Sequence, residues 1–220
     1  MAREDAGADF LVRLKRSRYD DYTIMRSVRG LRVKGKRVLL RVDFNLPPGE
    51  DFDIQRTAPT IRWLSRKGAK VLLLTHLGRP AGKRDPKLST RQLLSRIQKA
   101  VGQKISFLDD CVGPKVEHAV EAVNPGGVLL FENVRFYPGE EKNDALFAKK
   151  LAHTADLYVN EAFGASHREH ASIVALVKFL PSYAGPLFAK EVRTLSRLTS
   201  HPLHPLVVVI GGAKVETKLP

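Results

Sequence analysis

AKVLLLTHLGRP, residues 69–80, changes character in its middle. Val71 to Leu74 is an unbroken apolar run, short enough for a strand and too short for a helix. Thr75-His76-Leu77-Gly78-Arg79-Pro80 then brings a hydroxyl, an imidazole, a glycine, a guanidinium and a proline, which read as a loop. A strand without polar alternation is one covered on both faces, as in parallel sheets.

The same text recurs along the chain. KRVLLRVDF (36–44) is a strand candidate ended by NLPPGED (45–51), and further strands read at 104–108, 127–131 (GVLLF), 156–160 (DLYVN) and 206–210. Helical spacing falls between them at 57–68, 89–102, 114–123, 143–153, 170–178 and 187–199. In 89–102, Ser89 and Gln92 make a capping-box pattern, Leu93, Leu94, Ile97 and Val101 share a face, and Gly102 ends it. Residues 1–30 alternate charge and small residues without a period and read as a loosely ordered extension. The expectation is a three-layer αβα fold of the α/β class, with a mainly parallel, Rossmann-like sheet. Right-handed crossovers place every post-strand loop on the carboxyl edge, where ligands bind.

Those loops carry Asp43-Phe44-Asn45, Thr75 to Pro80, Glu132 to Phe136 and Glu161 to His170. Arg79, Arg135 and Arg168 thus converge on one rim with His76, and guanidinium groups grip carboxylate and phosphate bidentately. Singly, each has a plain structural reading. A strand-end arginine is a rim charge, His76 packs, and Gly78 and Gly164 turn the chain. Together they describe a site for a small, highly anionic molecule, with no nucleophile–base pair. His118, His201 and His204 read as surface residues. No His, Cys and carboxylate set has metal-ligand spacing.

Composition sets the outer bounds. The 220 residues are 43% hydrophobic and 27% charged, as in ordinary globular chains. No run approaches the roughly 18–20 apolar residues of a membrane span, and MAREDAGADF has no apolar core for a secretory signal. Cys111 is alone and reads as a small half-buried hydrophobe in a cytoplasmic protein. The net charge of +14, from 37 basic and 23 acidic groups, admits nucleic acid, an anionic membrane or an anionic metabolite. Residues 1–30 hold seven basic and five acidic groups, so the excess lies in the body. With 7% aromatics and no interleaved exposed rings, a single-strand nucleic-acid platform is the weaker reading.

The quoted motifs are similar to phosphoglycerate kinases, specifically to their N-terminal, 3-phosphoglycerate-binding domain. The stretches that carry the resemblance are GKRVLLRVDFNLP (35–47), GAKVLLLTHLGRP (68–80), LLFENVRFYPGEEKND (129–144), YVNEAFGASHREHAS (158–172), KFLPSYAG (178–185) and GGAKVETK (211–218), in family order. The resemblance implies reversible phosphoryl transfer between ATP and the carboxylate of 3-phosphoglycerate, giving 1,3-bisphosphoglycerate and ADP with Mg²⁺. It also implies substrate contacts at Asp43, Phe44, Asn45, His76, Leu77, Gly78, Arg79, Arg135 and Arg168. Lys214 would neutralise the transferring phosphoryl group, and both Lys214 and Lys218 would touch ATP.

Two departures stand out. The family places an arginine six residues before the proline of the PTI-like segment, and here Pro59 counts back to Asp53. Arg56, about one helical turn on, is the residue expected to substitute in catalysis. Glu161 stands where the family usually has aspartate. The resemblance further implies a second, nucleotide-binding domain after GGAKV, so the chain is expected to be the substrate-binding half, inactive as a kinase alone. On this reading 1–22 is an extension, 23–205 the substrate domain and 206–220 the start of the hinge. A separate nucleotide-binding chain and a stand-alone phosphoglycerate-binding module are the alternatives.

Overall fold

The computed structural model describes residues 11–14, 23–47, 49–200, 202–207 and 209. Strands β1 (Leu11–Leu14) and β2 (Thr23–Arg26) pair antiparallel. The main sheet comprises β3 (Arg37–Arg41), β4 (Lys70–Leu74), β5 (Ser106–Leu108), β6 (Val128–Phe131), β7 (Leu157–Asn160) and β8 (Ser182–Ala184). Its order is β5-β6-β4-β3-β7-β8, and every pairing is parallel.

The unbroken apolar text of these strands has a direct cause, because successive side chains enter opposite cores. Val38, Leu40, Val71, Leu73 and Leu130 pack under α1 (Phe52–Arg66) and α2 (Leu94–Val101). Leu39, Leu72, Leu74, Leu129 and Tyr158 pack under α3 (Pro114–Glu121) and, past the short α4 (Pro138–Glu141), α5 (Ala145–His153). Helix α6 (Pro186–Ser200) follows β8. No described helix is long and apolar enough to cross a membrane.

Several elements differ from the sequence reading. The expected loose extension up to residue 30 contains the β1–β2 ribbon, Ser27 bridges to Ala184, and Val28 is fully buried with its N–H on Ala184 O at 3.1 Å. Interleaved charge hid these strands, since ribbon strands need no continuous apolar run. β8 escaped notice because three residues are too few to show a period. Helix α1 begins at Phe52 rather than Thr57: Pro59, which favours a first turn, sits inside the helix instead. In place of one helix over 89–102, a 3₁₀ turn Thr90–Leu93 precedes α2. Ser89 Oγ accepts from Arg91 N, while Gln92 Nε2 donates to Ser89 O and Lys87 O, so the capping box is not reciprocal. Residues 171–178 form a wide π turn and a 3₁₀ turn.

The strand expected at 206–210 does not form over its described part. Leu206, Val207 and Val209 lie outside any strand and are 44%, 79% and 91% exposed. Among the described residues no strand lies alongside to cover them, and an apolar run alone cannot satisfy its backbone. Lys214 and Lys218, with the rest of GGAKVETK (211–218), lie outside the described residues. Cys111 is fully buried rather than half-buried, and its Sγ donates to Glu132 O at 2.9 Å.

Leu40 is fully buried on β3, a central strand of the sheet. Leu40→Ala should cost about 2–5 kcal/mol of stability, read as a lowered urea midpoint with an unchanged slope.

Candidate functional site

Register brings the strand ends together. Arg41 pairs with Leu74 on one side and Asn160 on the other, so Val42-Asp43, Thr75-His76 and Glu161 leave the sheet side by side. Polar side chains then lace the loops. Phe44 N donates to Thr75 Oγ1 at 3.1 Å, and its ring is wholly buried in the core, so Phe44 anchors Asp43 and Asn45 rather than offering a side chain to a ligand. Gly78 N donates to Asn45 Oδ1 at 2.7 Å. Asn133 Nδ2 donates to Leu77 O and Leu88 O at 2.7 and 2.9 Å. Gly78 has φ 62°, a backbone conformation that favours glycine, and a Cβ there would also displace the Leu88 side chain, 2.6 Å away at Cδ2.

Arg135 is the centre of this arrangement. It is 1% exposed, and its Nη1 donates to Gly78 O at 2.7 Å. Its Nε and Nη2 are buried without a hydrogen bond. Glu141 Oε1 stands 3.5 Å from Nε, an ion-pair distance only. Nε and Nη2 form the guanidinium edge that receives a carboxylate or phosphate bidentately. Burial, then the nearby Arg168, lowers the Arg135 pKa, as for a cation gathered with other cations. Arg168 is half-buried, and Arg79, next to the Gly78 that Arg135 holds, is exposed. Arg135 and Arg168 thus lie together, and the backbone of Arg79 is brought beside them by its neighbour Gly78.

His76 is 3% exposed. Burial, with Arg41, Arg135 and Arg168 near, pushes its pKa down to about 2, so the ring is neutral. Its approach to Asp43, 3.8 Å between Nδ1 and Oδ1, is therefore no ion pair. Arg41 and its partners Ser172 and Glu140 were missed by the sequence reading. Arg41 is fully buried, donating from Nε to Ser172 Oγ at 3.0 Å, and Ser172 donates on to Glu140 Oε1 at 2.6 Å. The one available signal was an arginine ending an otherwise apolar central strand.

Arg56 lies apart from this basic cluster. It borders a cavity of about 230 Å³ with Asp43, Asp53, Glu161, Gly164 and Glu191. Its Nη2 bonds Glu191 Oε1 and its guanidinium lies 5.2 Å from the Phe52 ring centroid. The arginine expected to substitute thus has its charge already paired, and it borders this cavity as well as a larger cleft. Burial and then Asp43 raise the Asp53 pKa, the response of a carboxylate among carboxylates. Glu161 accepts from Thr60 Oγ1 at 2.5 Å and from Phe188 N at 2.8 Å, tying the start of α6 to α1.

A larger cleft, about 1150 Å³, runs between residues 29–34, α1 and the start of α6. It is lined by cations and carries Trp63 as its single aromatic. Its cations are exposed, apart from Arg56, which is paired with Glu191, and none offers a buried guanidinium edge like that of Arg135, so the smaller rim is the better anion candidate. One ring offers no succession of stacking platforms for nucleic acid.

A family model described as phosphoglycerate kinase matches residues 28–220. The phosphoglycerate kinase of Coprothermobacter proteolyticus is 49% identical over 201 residues, covering 89% of this chain and 51% of the relative. That of Bartonella tribocorum is 47% identical with the same coverage. Among solved structures, phosphoglycerate kinase from Coxiella burnetii matches with TM-score 0.77 and 36% identity over 88% of this chain and 50% of its own. The Pyrococcus horikoshii enzyme gives 0.79 and 30% over 86% and 49%. The chain spans about half the length of the curated relatives it matches.

The neutral, buried His76 makes stability pH-dependent. Below the ordinary imidazole pKa of about 6.5 the unfolded chain takes up a proton that the folded site refuses down to about 2. Stability should fall as pH drops from about 6.5, by up to roughly 1.4 kcal/mol per pH unit from this group. Urea melts at stepped pH should show that part of the slope disappear in His76→Gln.

Proposed function

This chain belongs to the phosphoglycerate kinase family, and on that footing we propose that its rim binds 3-phosphoglycerate and 1,3-bisphosphoglycerate for phosphoryl exchange with ATP. The observation that carries the reading is Arg135: a buried guanidinium whose bidentate edge has no hydrogen-bond partner in the protein. Such an edge is costly unless an anion meets it. A phosphate seated there gains two parallel charge-assisted bonds, with Arg168 and Arg79 adding charge from the neighbouring loops. Asn45, whose Oδ1 already holds Gly78, has its amide N–H left to donate, and Asp43 can accept from a ligand hydroxyl.

The division of labour follows. Residues 23–205 constitute the substrate domain and 206–220 the start of the hinge. Lys214 and Lys218 serve the nucleotide, with Lys214 also neutralising the transferring group. ATP with Mg²⁺ would supply the phosphoryl group and neutralise its charge. The described residues offer no cluster of three or more His, Cys, Asp or Glu side chains able to hold a metal ion. The step assigned to the basic rim is substrate positioning, which in direct phosphoryl transfer is a large part of catalysis. Arg56, paired with Glu191 beside Asp43 and Asp53, supports the reaction centre weakly in this arrangement. A nucleotide-binding half, in the same or a separate chain, completes the enzyme, acting in the cytoplasm.

Calorimetry should detect 3-phosphoglycerate binding to this chain, weakened roughly ten- to hundredfold by Arg135→Met with the fold intact by circular dichroism. Absence of binding to the folded wild type at millimolar ligand would overturn the proposal. Asp53→Asn should tighten binding a few-fold by removing a carboxylate from beside Asp43, a change of about 0.2–1 kcal/mol.

A further inference from the structure

We infer that Arg41 is a positioning residue for this site: its Nη2 donates to His76 Nδ1, which fixes the imidazole as the neutral Nε2–H tautomer and turns His76 into a dedicated hydrogen-bond donor. The inference deepens the phosphoglycerate reading and rests on it for the identity of the ligand. The proton bookkeeping leaves one solution. Arg41 Nη2 lies 3.1 Å from His76 Nδ1, and a guanidinium can only donate, so Nδ1 must be the unprotonated nitrogen.

The competing arrangement has a proton on Nδ1 pointing at Asp43. Its 3.8 Å separation is beyond hydrogen-bond length, and Arg41 occupies the nitrogen it would need. Arg135, Arg168 and His170 also lie near the ring, and with Arg41 they oppose a second proton. The remaining proton therefore sits on Nε2, for which there is no protein acceptor among the described residues.

Arg41 is itself held from behind. Nε donates to Ser172 Oγ, Nη1 donates to Val42 O, and the Ser172 hydroxyl and amide both donate to Glu140, at 2.6 and 2.9 Å. Tyr158 donates to Ser172 O at 2.9 Å, completing the brace. Every proton in the row is assigned once: His76 accepts from Arg41, which donates to Ser172, which donates to Glu140. Glu140, with no exposed surface, supplies the negative charge that lets a fully buried guanidinium persist beside Arg135. Because the ring donates without a charge, the rim's attraction for anions comes from its guanidinium groups.

The test reads the His76 ring nitrogens by NMR in the ligand-free chain, and 3-phosphoglycerate affinity by calorimetry. The wild type should show a protonated Nε2 and a bare Nδ1 throughout about pH 5–8. Arg41→Met should give mixed tautomers or a titrating ring, and weaken 3-phosphoglycerate roughly ten- to hundredfold. Arg41→Lys, which keeps one donor, should restore part of the Nε2–H population. Ser172→Ala, which removes one hold on Arg41 and keeps the charge, should mix the tautomers to a smaller extent, and carries the test if Arg41→Met does not fold. A wild-type ring protonated on Nδ1, or an unchanged tautomer in the folded variants, overturns the inference. The predicted tautomer in a chain that fails to bind 3-phosphoglycerate would instead sink the functional reading alone.

Discussion

Strands buried on both faces cannot carry charge along their length, because a guanidinium or carboxylate there would lose water without gaining partners. In this sheet β3, β4, β6 and β7 obey that constraint over their middles, and the polar residues follow where the backbone leaves the layer. Parallel register then sets those exits level with one another. The basic rim is thus a by-product of packing: excluding charge from two cores concentrates it at a common edge. Arg41 marks the boundary, being the last residue of β3 and on the Leu39 side of the strand, where Ser172 and Glu140 receive it.

Like charges so close together need offsetting. Glu140 compensates Arg41 through Ser172, Glu141 stands at ion-pair distance from Arg135, and His76 stays neutral. What is left is the bidentate edge of Arg135 with Arg168 and Arg79 around it. A few paces along the same rim the sign reverses, with Asp43, Asp53 and Glu191 around Arg56. An elongated acid lying across both regions would meet guanidinium groups at one end and carboxylates at the other. Orientation is thereby imposed by electrostatics before any close contact forms.

The central sheet was legible because each of its longer strands is apolar on both faces, and the make-up of the basic rim because His76, Arg79, Arg135 and Arg168 lie in the loops that follow those strands. Legibility failed where the physical signal was local or borrowed. β1 and β2 are charge-interleaved ribbon strands, and β8 is three residues long. Pro59 misplaced the start of α1 because helix interiors seldom admit proline. The apolar run at 206–210 looked like a strand, yet a strand is defined by its neighbours, which sequence periodicity does not supply. Arg41, Ser172 and Glu140 come from three separate segments, so their partnership exists only after folding.

Glu161 reaches from the end of β7 to the first turn of α6, and the room for its extra methylene comes from Gly185. A Cβ at 185 would lie 2.1 Å from the Glu161 carboxyl carbon, so the carboxylate would have to swing away and give up its bonds to Thr60 and Phe188. The two positions therefore form a single size constraint. A lineage that lengthens the acid must keep the facing residue bare, and one that adds a side chain there must shorten or surrender the carboxylate. Drift at either position alone would loosen the joint between α6 and the sheet, so change is expected to arrive at both or at neither.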